Sequence, residues 1–168
     1  MSGRGISELR DAMDYVLGER ATKDYIQFTS GDKIDIVPFS SFVDSTWSIV
    51  HNGNNAGSLL TQINNYDVYG TTALFPAAVK ALDLVKNEDM DKYNVSIILM
   101  TDGQGNVGTY YDLYNAYNNT NKNIPIYSIS FGSADEYELN NIATLTNAKV
   151  FDGKTNLVEA FKSVRGYN

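Results

Sequence analysis

A carboxylate stands at the point where a hydrophobic segment of this sequence ends. Residues 95–101 read Val-Ser-Ile-Ile-Leu-Met-Thr, Asp102 follows directly, and Gly103 allows a sharp turn. An aspartate in this place is compatible with a simple turn. It is also suited to bind a positively charged ligand at the carboxyl end of a sheet, which is where ligands bind in open α/β sheets. Asp102 is therefore the first candidate for a binding residue.

The sequence offers little for covalent catalysis or for a nucleic-acid partner. It has no cysteine, which excludes disulfides, thiol nucleophiles and cysteine metal sites from these 168 residues. His51 is the single histidine, and no Ser-His-Asp set can be argued from it. The formal net charge of −7 gives a surface that repels phosphate backbones, so we expect no nucleic-acid partner.

Five segments have the pattern of strands. Residues 33–39, 94–102 and 124–132 are short, rich in β-branched residues and nearly continuously apolar, as in strands that are covered on both faces. Residues 46–51 alternate and predict an edge strand, and residues 148–152 predict a short strand. No apolar run is long enough to span a bilayer, so we expect no membrane-spanning segment.

Helical patterns lie between and around these strands, in residues 6–17, 74–85, 111–119, 135–145 and 155–164. We expect Asp135 and Thr155 to cap the last two helices. The alternation of helix and strand after residue 70 predicts an α/β domain with a mostly parallel sheet and helices on its faces. We assign residues 1–168 to a single domain.

Four segments of the sequence resemble the von Willebrand factor type A domain family, and they follow one another along the chain as in that family. Residues 69–82, YGTTALFPAAVKAL, resemble the glycine-threonine loop that opens a helix in that family, and residues 95–106, VSIILMTDGQGN, resemble its strand ending in Thr-Asp-Gly. Residues 31–41, GDKIDIVPFSS, are similar to its second strand, and residues 124–132 to its next strand. The resemblance implies a three-layer α/β/α, doubly wound, Rossmann-like fold with a mostly parallel sheet, an antiparallel edge strand and the strand order 3-2-1-4-5-6.

The resemblance also implies a metal-ion-dependent adhesion site. The family binds a divalent cation, usually Mg²⁺, through an Asp-x-Ser-x-Ser motif, a threonine of the second loop and an aspartate after the fourth strand. Carried onto this sequence, the threonine is Thr72, with Thr71 as the alternative, and the aspartate is Asp102. Hydroxyls and carboxylates suit magnesium, which keeps several waters. In the family, an acidic side chain of a protein partner completes the coordination.

The implied function is a metal-dependent adhesion or interaction module of a larger bacterial protein, and not an enzyme. We expect an extracellular or cell-surface location, with a cytoplasmic location as the alternative. The rival from another functional class is a metal-dependent hydrolase or phosphoryl-transfer enzyme on a similar doubly wound sheet. Such an enzyme needs a nucleophile or base beside the metal, and the sequence has no cysteine, no glycine-rich phosphate loop and one poorly placed histidine.

The sequence departs from the family at its amino end. The family begins with a hydrophobic strand and the Asp-x-Ser-x-Ser motif, whereas this sequence begins MSGRGISELRDAM. The resemblance therefore implies that the first strand, the aspartate and both serines are missing, and that Mg²⁺ binds weakly or not at all. Residues 44–48, DSTWS, satisfy Asp-x-Thr-x-Ser but follow the second strand. Because a motif counts only in its structural context, we do not expect Asp44, Thr46 and Ser48 to bind metal.

A missing central strand leaves a slot between residues 33–39 and 94–102. The slot would be about 9 to 10 Å wide, which is two inter-strand spacings. Each unpaired backbone group that is buried there costs roughly 1 to 3 kcal/mol. We therefore expect the flanking strands to pair directly, or another copy of the chain to supply a segment and form a homo-oligomer.

Overall fold

The five expected strands and the five expected helices are all present. The structure is a computed structural model that describes residues 4–18 and 28–165. In chain order these residues form α1 (Arg4–Leu17), β1 (Lys33–Ile36), β2 (Trp47–Val50), α2 (Gly57–Asn65), α3 (Leu74–Val85), β3 (Ile97–Thr101), α4 (Tyr110–Thr120), β4 (Ile126–Ser130), α5 (Glu136–Leu145), β5 (Val150–Asp152) and α6 (Leu157–Arg165). No helix among them is both long enough and apolar enough to cross a membrane.

Strands β3, β4 and β5 form a parallel sheet in that order. Ile97 of β3 lies opposite Ile126 of β4, and Ser128 of β4 lies opposite Val150 of β5. Every residue of β4 is buried. This agrees with its nearly continuous apolar sequence, which is typical of a strand that helices cover on both faces.

Strands β1 and β2 form a separate antiparallel pair. Lys33 lies opposite Val50, and Ile36 lies opposite Trp47. Strand β2 is thus the antiparallel edge strand that the resemblance implies. Strand β1 ends at Ile36, whereas the sequence predicted that it extends to residue 39. Pro38 lies within that predicted extension, and it has no backbone N–H to donate to a neighbouring strand.

The helices cover the strands on two faces. One hydrophobic cluster joins α1, α2 and α6 to β1 and β4, and it includes Val16, Ile129 and Phe161. The other joins α3, α4 and α5 to β3 and β4, and it includes Leu82 and Leu99. Successive side chains of a strand point to opposite faces, so β4 contributes to both clusters. The predicted three-layer α/β/α arrangement is confirmed.

The loop before α3 joins the carboxyl ends of β1 and β3. The backbone N–H of Ala73 donates to the carbonyl of Ser40, beyond β1, at 2.7 Å. The carbonyl of the neighbouring Thr72 accepts from the backbone N–H of Asn106, beyond β3, at 2.9 Å. The two strands therefore end at the same edge of the molecule.

The amino ends of β1 and β3 also lie together. Lys33, the first residue of β1, forms an ion pair with Glu88 at 2.7 Å, and its Nζ atom lies 4.8 Å from the centre of the Tyr93 ring. Both partners belong to the segment that leads into β3. Strands β1 and β3 thus run in the same direction.

A groove of about 640 Å³ lies between β1 and β3. Within residues 4–18 and 28–165, neither strand has a sheet partner on the side that faces the groove. Direct pairing of the two flanking strands, one of the two expected outcomes, is therefore wrong for the single chain. A segment supplied by another copy stays a prediction.

Two details of the helices differ from the sequence-based expectation. Helix α2 was not expected, and no side chain caps its amino end at Ala56. Asp135 caps α5 as predicted, because its side chain accepts hydrogen bonds from the backbone of the first turn. The prediction that Thr155 caps α6 is wrong. The Asn156 side chain takes that role by accepting from the backbone N–H of Glu159 at 3.2 Å.

Candidate cation-binding edge of the sheet

Asp102 lies at the carboxyl edge of the parallel sheet, directly after β3. Its backbone carbonyl accepts a hydrogen bond from the N–H of Ser133 at 2.9 Å, and the Thr101 carbonyl accepts from the N–H of Phe131 at 3.2 Å. These bonds continue the pairing of β3 and β4 beyond the strand ends. They fix the backbone of Asp102, and the residue is half-buried.

Two glycines leave room for the Asp102 side chain. Gly132, after β4, has a φ of 55°, and a Cβ there would lie 2.9 Å from the Cβ of Asp102. A Cβ at Gly5, in the first turn of α1, would collide with the Oδ2 atom of the carboxylate. The amino end of α1 therefore approaches Asp102. The backbone N–H groups and the dipole at a helix amino end stabilise a negative charge.

Thr72 lies beside the segment that follows β3. A Cβ at Gly103 would lie 3.2 Å from the Oγ1 atom of Thr72, and the Thr72 carbonyl is held by Asn106. The Thr72 hydroxyl does not cap α3, because the N-cap residue is Ala73 and no side chain caps that helix. The structure therefore brings the hydroxyl of Thr72 next to the chain at Asp102.

Thr71 contacts the loop after β1. Its backbone N–H donates to the Oγ atom of Ser41 at 3.0 Å, and the residue is exposed. The preceding Gly70 has a φ of 79°, and a Cβ there would collide with the same Ser41 oxygen. Only glycine fits this close approach with a positive φ. Ser41 thus holds the loop at Thr71, while the side chain of Thr72 lies toward the end of β3.

Glu138 is a second carboxylate near this edge that the sequence analysis missed. Its Oε2 atom accepts a hydrogen bond from the backbone N–H of Gly105 at 2.8 Å, which ties the loop after Asp102 to α5. The spacing from Asp135 to Glu138 is that of a capping box, in which the glutamate reaches back to the cap. That signal marks the start of the helix, but it does not reveal a contact with a distant loop.

Comparison with known proteins identifies the domain. Residues 1–164 match the von Willebrand factor type A domain family. The chain belongs to this family. Its fold is similar to a von Willebrand factor type A structure from Catenulispora acidiphila, with a TM-score of 0.71 and 16% sequence identity, over 94% of this chain and 37% of that chain.

The fold of this von Willebrand factor type A domain is also similar to proximal thread matrix protein 1 from the mussel byssus. The TM-score is 0.67 and the identity 17%, over 95% of this chain and 42% of that chain, and the structure of that protein has a zinc-occupied MIDAS motif. This chain thus spans less than half the length of these two solved structures. A search of curated proteins gave no match. At these identities the structural likeness shows the fold alone.

The donors at this edge of the von Willebrand factor type A domain fit part of a site for a hard cation. Mg²⁺ takes oxygen ligands in octahedral array and keeps several waters. The Asp102 carboxylate and the Thr72 hydroxyl are oxygen donors of this kind. Among the described residues, no group of three or more His, Cys, Asp or Glu side chains could hold a metal ion. Asp102 and Thr72 therefore offer two oxygen donors, which are fewer than a hard cation needs for a complete site.

In this domain, residues 44–48 have a structural role. The Oδ2 atom of Asp44 accepts a hydrogen bond from the Tyr66 hydroxyl at 2.6 Å. Burial, together with this bond, raises the pKa of Tyr66 well above its usual range. Ser48 is exposed and lies opposite Asp35 in the β1–β2 pair. The Asp-x-Thr-x-Ser pattern therefore belongs to a loop and an edge strand.

His51 lies at the opposite edge of the von Willebrand factor type A domain. It follows Val50, which pairs with Lys33 at the amino end of β1. The residue is buried, and its Nδ1 atom accepts a hydrogen bond from the backbone N–H of Gly53 at 3.3 Å. The single histidine of the sequence is thus far from Asp102, where a hydrolase would need its base.

Proposed function

We propose that this domain binds a protein partner through a divalent cation at the carboxyl edge of its sheet, with Asp102 and Thr72 as two of the ligands. The approach of the Thr72 hydroxyl to the chain at Asp102 carries the proposal. The family commonly mediates metal-dependent protein interactions, and a structural relative has a zinc-occupied MIDAS motif. Both facts support a cation at this edge.

A bound cation at this edge would attract an acidic group of the partner. The formal net charge is −7, so the bare surface repels a carboxylate. A divalent cation held by one carboxylate leaves a local positive charge, which supplies attraction for an Asp or Glu side chain. We therefore propose a protein partner that presents an acidic side chain at this edge.

Asp102 and Thr72 would act through their fixed positions. The backbone of Asp102 is held by its bond to Ser133, and its side chain has space because of Gly5 and Gly132. The carbonyl of Thr72 is held by Asn106. Groups that are already ordered lose little conformational freedom on binding. The backbone that carries these two oxygen donors is therefore already in place.

Titration calorimetry with MgCl₂ tests this proposal. The 168-residue chain is compared with the same chain extended at its amino end by an apolar strand and an Asp-x-Ser-x-Ser motif. We expect weak or no binding by the 168-residue chain, because Asp102 and Thr72 replace few of the waters that Mg²⁺ holds tightly. We expect the extended chain to bind Mg²⁺ in a saturable manner.

Single substitutions in the extended chain assign the ligands. Asp102→Ala should abolish binding, and Thr72→Ala should weaken it at least about tenfold, which corresponds to about 1.4 kcal/mol. Thr71→Ala is the matched control and should leave the affinity unchanged. Binding that survives Asp102→Ala, or that is lost in Thr71→Ala and retained in Thr72→Ala, contradicts the assignment.

A further inference from the structure

The exposed aromatic side chains of the domain gather at the carboxyl edge of the sheet. Residues 4–18 and 28–165 leave six large apolar side chains exposed, and the five aromatic ones lie in loops at this edge or in the first two turns of helices that begin there. They are Phe42, Tyr69, Tyr111, Tyr114 and Tyr137. The sixth, Val50, pairs with Lys33 at the opposite edge. Aromatic residues are enriched in protein interfaces, so their concentration at one edge indicates a binding surface.

Phe42 and Tyr69 form an exposed pair beside the loop that carries Thr72. Their ring centres are 6.3 Å apart in an edge-to-face arrangement, and the two residues are 52% and 60% exposed. The hydroxyl of Ser41 donates to the Tyr69 carbonyl at 3.4 Å and accepts from the backbone N–H of Thr71 at 3.0 Å. Both rings are therefore attached to the part of the edge where the proposed cation would bind.

Tyr111 and Tyr137 lie on the other side of this loop, in the first turns of α4 and α5. They are 74% and 77% exposed. The segment that leads into α4 is tied to the Thr72 carbonyl by the backbone N–H of Asn106. The first turn of α5 is tied to the same segment by the Glu138 carboxylate. The exposed rings thus belong to elements that hydrogen bonds join to one another around the candidate cation-binding edge.

The segments that carry these rings contain carboxylates but no lysine or arginine. They are residues 38–44, 66–72, 102–112 and 132–138. Their acidic residues are Asp44, Asp67, Asp102, Asp112, Asp135, Glu136 and Glu138. Arg4, the first residue of α1, and Lys154, after β5, also lie at this edge, and Lys154 forms an ion pair with Glu136. Carboxylates therefore outnumber cations here, and the negative potential attracts positively charged side chains of a partner.

Tyrosine rings elsewhere in this domain already contact positively charged groups. The Nζ atoms of Lys33 and Lys92 lie 4.8 Å and 5.0 Å from the centre of the Tyr93 ring, and that of Lys162 lies 5.1 Å from the centre of the Tyr15 ring. The electrons of a ring face attract such a cation. Arginine is the best suited partner, because its guanidinium group is planar, weakly hydrated and stacks on aromatic faces.

We propose that the exposed rings of the carboxyl edge bind arginine side chains of the protein partner, and that the neighbouring carboxylates attract them. The arginines would surround the acidic side chain that the cation binds. This inference rests on the proposed function for the kind of partner, but the arginine contacts themselves need no cation. Tyrosine and arginine are both enriched among the residues that contribute most to binding at interfaces.

An NMR titration of the 168-residue chain, labelled with ¹³C in its tyrosine rings, tests this proposal. The probe is the peptide Gly-Arg-Gly-Arg-Gly with both ends capped, and EDTA is present throughout, so that failure here is separate from failure of the cation proposal. We expect saturable shift changes at the rings of Tyr69, Tyr111 and Tyr137. The rings of Tyr15 and Tyr93, which already contact lysines, should not respond.

Matched peptides and variants separate arginine stacking from plain charge attraction. A peptide with citrulline in place of arginine keeps the shape but loses the charge, and we expect it to bind at least about tenfold more weakly. A double variant with Tyr111→Leu and Tyr137→Leu should bind the arginine peptide at least about fivefold more weakly. Tyr111→Phe with Tyr137→Phe keeps both rings and should retain the affinity. Tyr15→Leu is the control at a ring that already contacts Lys162 and should not affect binding.

Equal binding of the arginine and citrulline peptides, or no binding of either, overturns the proposal. Unchanged affinity of the double leucine variant also overturns it, because charge alone would then account for the binding. The NMR spectrum checks the fold of each variant. If the double leucine variant does not fold, the comparison of the two peptides on the unaltered chain and the identity of the shifted rings decide.

Discussion

The constraint on Asp102 by a neighbouring glycine can be measured with a matched pair of residues. Gly132 has a φ of 55°, and a methyl group on its Cα would lie 2.9 Å from the Cβ of Asp102. A methyl group at Gly57 would have no such neighbour within 4 Å. We expect Gly132→Ala to lower the free energy of unfolding by roughly 1 to 3 kcal/mol. Gly57→Ala should change it by less than about 1 kcal/mol. Urea denaturation measures both, and equal effects would show that Gly132 does not constrain Asp102.

At the residue scale, the sequence predicts contacts only between residues that belong to its recognisable motifs. Asp102 follows a recognisable strand, and the resemblance to the von Willebrand factor type A family places Thr72 at the same edge of the sheet. Gly5 and Glu138 were not predictable, because their contacts with the loop at Asp102 depend on how α1 and α5 pack against the sheet. Glycine and glutamate are common residues, and nothing in their local sequence signals such a contact.

At the element scale, the start of α6 gives a direct test of a corrected expectation. Asn156 accepts a hydrogen bond from the backbone N–H of Glu159, and Thr155 lies one residue too early to be the cap. We expect Asn156→Ala to lower the free energy of unfolding by about 0.5 to 2 kcal/mol, since it removes a helix cap. Thr155→Ala should leave it nearly unchanged. Chemical denaturation of both variants decides, and the reverse order of effects would restore Thr155 as the cap.

Elements with strong periodicity were predictable, and the exception has a physical explanation. Strands β3 and β4 consist mainly of apolar residues, and α3 carries an apolar stripe, so their patterns are easily recognised. Helix α2 spans only nine residues, has no capping side chain and buries two residues, Leu59 and Ile63. Its stability comes from packing against α1 and β2. Tertiary packing rather than intrinsic propensity forms this helix.

At the scale of the whole molecule, contacts at both ends keep β1 and β3 apart. The bond between Ala73 and Ser40 fixes the carboxyl end of β1, and the ion pair between Lys33 and Glu88 fixes its amino end. Helices α1 and α3 line the groove from opposite faces. The sequence predicts a slot from the order of its motifs. It does not predict that the slot stays open, because that depends on these long-range contacts.

An apolar strand added at the amino end should fill the groove within one chain. Gly5, in the first turn of α1, lies beside Asp102 at the carboxyl edge, so a strand that runs parallel to β1 would end close to the start of α1. Each buried Val or Ile contributes about 1.5 to 3 kcal/mol, and ordering the backbone costs about 1 to 2 kcal/mol per residue. The new hydrogen bonds contribute about 0.5 to 1.5 kcal/mol each. We therefore expect the free energy of unfolding to rise by at least about 2 kcal/mol.

The control for this extension has the same length and consists of Gly and Ser. It lengthens the chain without apolar burial and does not favour a strand. Urea denaturation should show the rise in stability for the apolar extension alone. If the apolar extension stabilises the chain no more than the Gly-Ser extension does, the groove between β1 and β3 does not accept a strand that precedes α1.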